Sequence, residues 1–136
     1  MEITITHEKP YIQIMHLNGK LDGSNYKQLV EAARELYDAG CRDLILDLNQ
    51  LSYISSAGIS ALHRVALLFR GQLMEAEEEE GWASYRAIAN ELNSNAQKHV
   101  KLFGLVENVQ RSLEMVGFTS LFETYTDMNL AIASFQ

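Results

Sequence analysis

Residues 44–62 read LILDLNQLSYISSAGISAL, and two hydrophobic periods meet inside them. Leu44, Ile45, Leu46 and Leu48 make a nearly continuous apolar run, too short for a stable helix and suited to a strand covered on both faces. Further on, Ala57, Ile59, Leu62, Val65, Ala66 and Phe69 recur at helical spacing, with Leu67 and Leu68 widening the apolar arc and Gly71 near the end. A short loop ending in Ser55 and Ser56 joins the two. A buried central strand feeding a helix in this way is the unit of an alternating α/β domain, and it puts Ser56 at the mouth of that helix.

The flanking sequence fits the same plan. Ile3 and Ile5 alternate with polar residues, apolar content resumes over residues 11–17, and Pro10 lies between as a turn signal, so an antiparallel strand pair is predicted, followed by a connecting loop over residues 18–23. Ser24 is the expected N-cap of a first helix carrying Tyr26, Leu29, Val30, Ala33, Leu36 and Tyr37, which Gly40 ends. Residues 99–105, HVKLFGL, read as a second buried strand. A helix over about 107–116 then places Val109, Leu113 and Val116 on one side and stops at Gly117. Residues 118–125 suggest a short strand, and Asp127 can cap a last helix with Met128, Leu130, Ala131, Ile132 and Phe135. The alternation predicts a mixed sheet flanked by helices, with right-handed crossovers.

Residues 72–97 depart from this economy. They hold the acidic block Glu75, Glu77, Glu78, Glu79 and Glu80, then GWASYRAIANELNSNAQ. A connection this long must carry structure of its own or be mobile. Trp82, Tyr85, Ile88, Ala89 and Leu92 fall on one helical face, which predicts a short amphipathic helix that packs back on the domain or offers a docking surface. Carboxylates on an exposed run lack the burial that would split their pKa values for paired acid catalysis.

Composition narrows the function classes. At 136 residues and 47% hydrophobic, the chain suits a single domain over residues 1–136 with the insertion at 72–97. A net charge of -7, with no basic cluster interleaved with aromatics, disfavours nucleic acid and anionic membranes. The N-terminal stretch MEITITHE has neither the basic nor the apolar region of a secretion signal, and Cys41 has no partner for an internal disulfide, so a cytoplasmic location is expected. His7, His16, His63 and His99 are scattered, without metal-ligand spacing or an evident Asp and Ser partner. Asp47, at a strand end, has a place that catalytic residues take in open α/β sheets. Gly19 and Gly23 form neither a P-loop nor a dinucleotide motif. Neither cofactor nor metal is expected, and an enzyme is not supported.

The serine turn has chemistry of its own. The first amides of a helix lack intrahelical partners and carry a partial positive potential. A phosphate on Ser56 would add about -1.5 to -2 charges there and change the surface met by a docking partner. Capping is the competing role for Ser55 and Ser56, because Ser is favoured at any N-cap.

Asp47, Leu48, Leu51, Tyr53, Ile54, Ser55, Ser56, Ala57, Gly58 and Ile59 together resemble the signature of the STAS domain family, the anti-sigma factor antagonists. The resemblance extends to Gly19, Leu21 and Asp22 upstream and to Leu105, Val109, Leu113, Gly117, Phe118 and Phe122 downstream, nearly the whole chain apart from residues 72–97. It implies a four- or five-stranded mixed sheet with helices mainly on one face. It also implies partner switching in signal transduction and transcription regulation: binding to an anti-sigma factor that is a serine kinase, release on phosphorylation of the loop serine, and resetting by a metal-dependent serine phosphatase. The phosphoacceptor then falls on Ser56, with Ser55 the second choice, and the partner-binding set on Asp22, Ser24, Ser55, Ser56, Ala57 and Gly58. Gly58 has two roles open to it, close approach of the partner and plain packing. The chain departs from many members in carrying Ser55 where an acidic residue precedes the acceptor, and Ala57 where Ser or Thr follows it. The alternative function is a constitutive, unphosphorylated scaffold or adaptor using Trp82, Tyr85 and Ile88. Oligomeric state is left open.

Overall fold

The computed structural model describes residues 1–9, 11–70, 97–118 and 121–135. Strands β1 (Glu2–Lys9) and β2 (Ile12–Leu21) form the antiparallel pair, then come helix α1 (Tyr26–Asp38), strand β3 (Asp43–Ile54), helix α2 (Ser56–Phe69), strand β4 (Gln97–Phe103), helix α3 (Glu107–Met115), strand β5 (Phe122–Tyr125) and helix α4 (Met128–Ala133). The strands lie side by side in chain order, with β1 antiparallel to β2 and every other pair parallel. The expected mixed α/β sheet is therefore five-stranded, and β3 is its centre.

Strand alternation decides which helix covers which face. Met15, Leu17, Leu44, Leu46 and Leu48 point to the side where Leu29 and Ala33 of α1, Ile59, Leu62 and Val65 of α2, and Val109 and Leu113 of α3 pack in one core. Ile14 and Ile45 point the opposite way and meet Ala131 of α4, with Phe103, Tyr125, Met128, Ile132 and Phe135 at the rim. Among the described residues, three helices lie on one face and one short helix on the other, in keeping with the helices mainly on one face that the resemblance implies. Lys101 shares the register of Ile45 and is buried under α4, where its ammonium donates to Glu123 Oε1 at 3.1 Å and to Ser134 Oγ at 2.9 Å. A buried cation needs such partners.

Several boundaries differ from the sequence reading, each for a physical reason. Residues 18–21 are the end of β2 and not a loop, because Leu21 is fully buried and pairs with Ile54. Burying one leucine contributes roughly 1.5–3 kcal/mol, more than the polar Asn18 and Lys20 can oppose from the exposed side. Gly19, at φ +117°, takes up a register shift there. Ser24 is not the N-cap of α1; that position is Asn25, and the Ser24 hydroxyl and amide are both taken by Asp22 Oδ1 at 2.6 and 2.9 Å. β3 extends through Ile54, so the loop expected before the serines is strand. Val116 is exposed as the residue after α3, outside the buried stripe of Val109 and Leu113. The strand expected over 118–125 is confined to Phe122–Tyr125, with Phe118 buried ahead of it. The insertion at 72–97, including its acidic block and the helix through Trp82, Tyr85 and Ile88, lies outside the described residues except for Gln97, which opens β4.

Candidate functional site

Parallel neighbours end at the same edge of a sheet, and this is what assembles the site. Leu21 and Ile54 are paired as the last residues of β2 and β3, so the turn that starts at Asp22 and the helix that starts at Ser56 leave the sheet next to each other. A backbone hydrogen bond from Ser55 N to Leu21 O, 2.9 Å, ties the two exits together. The first turn is held by the Asp22 carboxylate on Ser24 and by Asn25, whose Oδ1 accepts from Asp22 N at 2.9 Å and whose Nδ2 donates to Lys20 O at 2.8 Å. The hydroxyl and amide of Ser24 hold the Asp22 carboxyl below the usual carboxylate range.

The two serines divide the work at the second exit. Ser55, the only residue between β3 and α2, adopts extended backbone geometry (φ -93°, ψ 176°), and its hydroxyl accepts from Gly58 N at 3.2 Å as an N-cap does. Ser56 opens the helix. Its side chain is exposed, and its hydroxyl makes no hydrogen bond to another described residue. Ala57 is half-buried beside it. Gly58 faces inward: a Cβ there would lie 2.8 Å from Leu21 O and 2.8 Å from Ile54 Cγ1. Of the two roles open to Gly58, packing is the one its surroundings show, since it is buried against Leu21 and Ile54. Asp22, Ser24, Ser56 and Ala57 form the accessible part, with Ser55 behind them as the cap.

Beyond this turn α2 offers little surface. From Ala61 to Phe69 every residue except Arg64 is buried, so the outward stripe reduces to Ser56, Ser60 and Arg64, at i, i+4 and i+8. The sequence carried a partial signal for this stripe, since Ser56, Ser60 and Arg64 are three of the four polar positions in an otherwise apolar helix, the fourth being the buried His63. His63 lies on the inner side with its ring 6.0 Å from that of Phe118, and burial, with the Arg64 charge adding, pushes its imidazole down to about 4.

His16 and His99 also find partners, which their sequence spacing had concealed. His16 Nδ1 lies 2.6 Å from Asp47 Oδ2 and its Nε2 lies 2.8 Å from Thr6 Oγ1, a bridge across three strands. His99 Nδ1 is 3.0 Å from Asp43 Oδ1. Asp47, the catalytic candidate of the sequence reading, is thus a strut of the sheet face opposite α1 and α2, with its other oxygen accepting from Asn49 N at 3.0 Å. Among the described residues no group of three His, Cys, Asp or Glu is placed to hold a metal, and no helix is long and apolar enough to cross a membrane.

Comparison with known proteins places this architecture. A Bordetella bronchiseptica protein provisionally named anti-sigma factor antagonist BtrV is 30% identical over 120 residues, covering 88% of this chain and 83% of that protein. The fold resembles an anti-sigma factor antagonist from Mycobacterium paratuberculosis at TM-score 0.67, with 12% identity over 98% of this chain and 92% of that one. It also resembles the Bacillus cell fate determinant SpoIIAA in its phosphorylated form at TM-score 0.57, with 12% identity over 97% and 98% of the two chains. The STAS domain family model matches residues 4–74, the segment from β1 through the Ser55–Ser56 turn and the whole of α2. With that match over more than half of the chain, and a relative 30% identical over most of its length, the chain belongs to the STAS domain family.

Proposed function

We propose that this STAS domain is an anti-sigma factor antagonist: it docks on an anti-sigma factor of the serine-kinase type through the Asp22–Ser24 turn and the first turn of α2, and phosphorylation of Ser56 ends the complex. The name of the Bordetella relative supports the antagonist role, and the existence of SpoIIAA structures in unphosphorylated and phosphorylated forms shows that this fold accommodates the modification in that protein. The observation that carries the reading is the division between the serines. A residue that caps a helix cannot also hand its hydroxyl to a kinase without loosening the helix. Ser55 performs the capping, which leaves Ser56 exposed and uncommitted at the positive end of a 14-residue helix.

The switch is local. Phosphate at Ser56 adds charge where the helix potential favours an anion, so the domain keeps its fold while the docking surface gains about two negative charges. Burying that charge in an interface costs more than a rim contact returns, and the complex dissociates. A serine phosphatase regenerates the binding form. The domain acts as a regulatory binding module and performs no chemistry itself.

The test is to incubate the protein with the serine kinase of anti-sigma type from the same genome and ATP, and to map phosphate by mass spectrometry. One phosphate at Ser56, lost in Ser56→Ala, is expected. Undiminished phosphorylation of Ser56→Ala would refute the assignment, with modification at Ser55 as its nearest rival.

A further inference from the structure

Strand β1 is the first strand of the sheet and pairs on one side only, with β2. Its outer backbone edge carries no hydrogen bond to another described residue. An open edge is a ready template for a further strand, and folds blunt it with bulges, charges or proline. In β1 those devices sit at one end, where the register shifts between His7 and Lys9 and where Glu8, Lys9 and Pro10 stand in the chain. From Ile3 to Thr6 the strand is regular and uncharged. Alternation gives this stretch two faces. Ile3 and Ile5 pack on the core below the helices and stay only half-buried, while Thr4 and Thr6 are exposed on the opposite side. Apolar surface is thus left beside an unpaired edge, and one more strand would cover it.

We propose that this edge takes β1 of a second copy of the chain, antiparallel about a two-fold axis at Thr4, so that two sheets become one. The inference stands apart from the antagonist reading. The strand's own sequence selects both the occupant and the register. About a two-fold axis perpendicular to the sheet, residues that oppose each other lie on the same face, so the axis passes through a residue and not between two. With the axis at Thr4, Ile3 opposes Ile5 of the second copy, Thr4 opposes Thr4 and Glu2 opposes Thr6. Apolar side chains then meet apolar ones, and no like charges oppose. An axis at Ile5 sets Glu2 against Glu8 and Ile3 against His7, and an axis at Thr6 sets Ile3 against Lys9 and Thr4 against Glu8. Both lose the Ile3–Ile5 pairs. An axis at Ile3 overlaps less of the strand, which begins at Glu2.

Two measurements on the full chain test it. One strand pair makes a small interface, so the dissociation constant should be on the order of 10–100 μM. Sedimentation equilibrium from about 5 to about 500 μM should show monomer and dimer exchanging, and added salt should tighten the dimer by screening the repulsion between two copies of net charge -7. Thr4→Lys sets two ammonium groups against each other at an exposed position and should weaken the dimer roughly tenfold, whereas Thr124→Lys on β5 should leave it unchanged. A monomer throughout that range would overturn the dimer, including the case in which β1 is covered only when the kinase is added. A dimer indifferent to Thr4→Lys would place the contact elsewhere and overturn the use of this edge. Disulfide trapping reads the register independently. Opposed Cα atoms of antiparallel strands lie about 4.5–5.5 Å apart, within disulfide reach, so Thr4→Cys should oxidise to a covalent dimer. Thr6→Cys, roughly 14 Å from its counterpart, should not, and the buried Cys41 does not compete. Faster cross-linking of Thr6→Cys than of Thr4→Cys would overturn the register, and cross-linking of neither would overturn the pairing.

Discussion

At the scale of single residues, Ser55 and Ser56 are chemically alike and structurally different. Ser55→Ala removes the acceptor for Gly58 N and is expected to destabilise the domain by about 1 kcal/mol, whereas Ser56→Ala should change stability by less than about 0.5 kcal/mol. Urea denaturation of the two variants separates these outcomes, and equal losses would remove the distinction between cap and acceptor. Gly58→Ala is expected to cost more, about 1–3 kcal/mol, because its methyl would meet the backbone oxygen of Leu21, which the Ser55 hydrogen bond holds in place. Neither effect was legible in the sequence: a Ser-Ser pair before a helix states that a cap is present and not which serine provides it. The strand running on to Ile54 decides that, since it leaves one residue before the helix. Cys41 follows the same logic of burial. Desolvation pushes its thiol up to about 11, so alkylation near neutral pH should proceed only as fast as the domain unfolds, and rapid labelling of the native protein would contradict its buried placement.

At the scale of elements, the end of α1 and the cap of α4 emerged where short-range pattern put them. α1 ends as Gly40 predicts: Gly40 N donates to Tyr37 O at 3.0 Å and Cys41 N to Leu36 O at 2.9 Å, with Gly40 at φ +110°. Nothing lies within 4 Å of a Cβ built at Gly40, so Gly40→Ala isolates the backbone term and should destabilise by about 1 kcal/mol, measured by the denaturation midpoint. Asp127 caps α4 through Asn129 N and Leu130 N, also as read from the sequence. The misplaced boundaries share a different cause. Residues 18–21 look like a turn until Leu21 is paired with Ile54, a partner 33 residues away, and Ser24 looks like a cap until Asp22 claims it. Long-range pairing and competition between neighbouring side chains leave no periodic trace. The His16–Asp47–Thr6 bridge is hidden for the same reason, its members being brought together only by strand order.

At the scale of the whole molecule, one helix joins the core to the surface that acts. α2 is packed on nearly all sides from Ala61 onward and shows solvent only Ala57 and the stripe of Ser56, Ser60 and Arg64, so charge added at Ser56 meets a rigid support. His63, on the buried side of that helix, links stability to pH. Its folded value near 4 lies below the ordinary 6.5, so the unfolded chain takes up a proton that the folded chain refuses. This contribution is fully present above pH 6.5 and is lost as pH falls toward 4, by up to about 3 kcal/mol. Denaturation midpoints followed down through that window should fall more steeply for the wild type than for His63→Leu, and matching slopes would contradict the burial of a neutral imidazole. The measurement closest to the central claim is calorimetric titration of the serine kinase with the unmodified protein and with protein carrying phosphate at Ser56 alone. A saturable complex is expected with the first, and a loss of affinity of about a hundredfold with the second, on the order of 3 kcal/mol. Equal affinity for the two forms would show that the helix-opening serine is no switch.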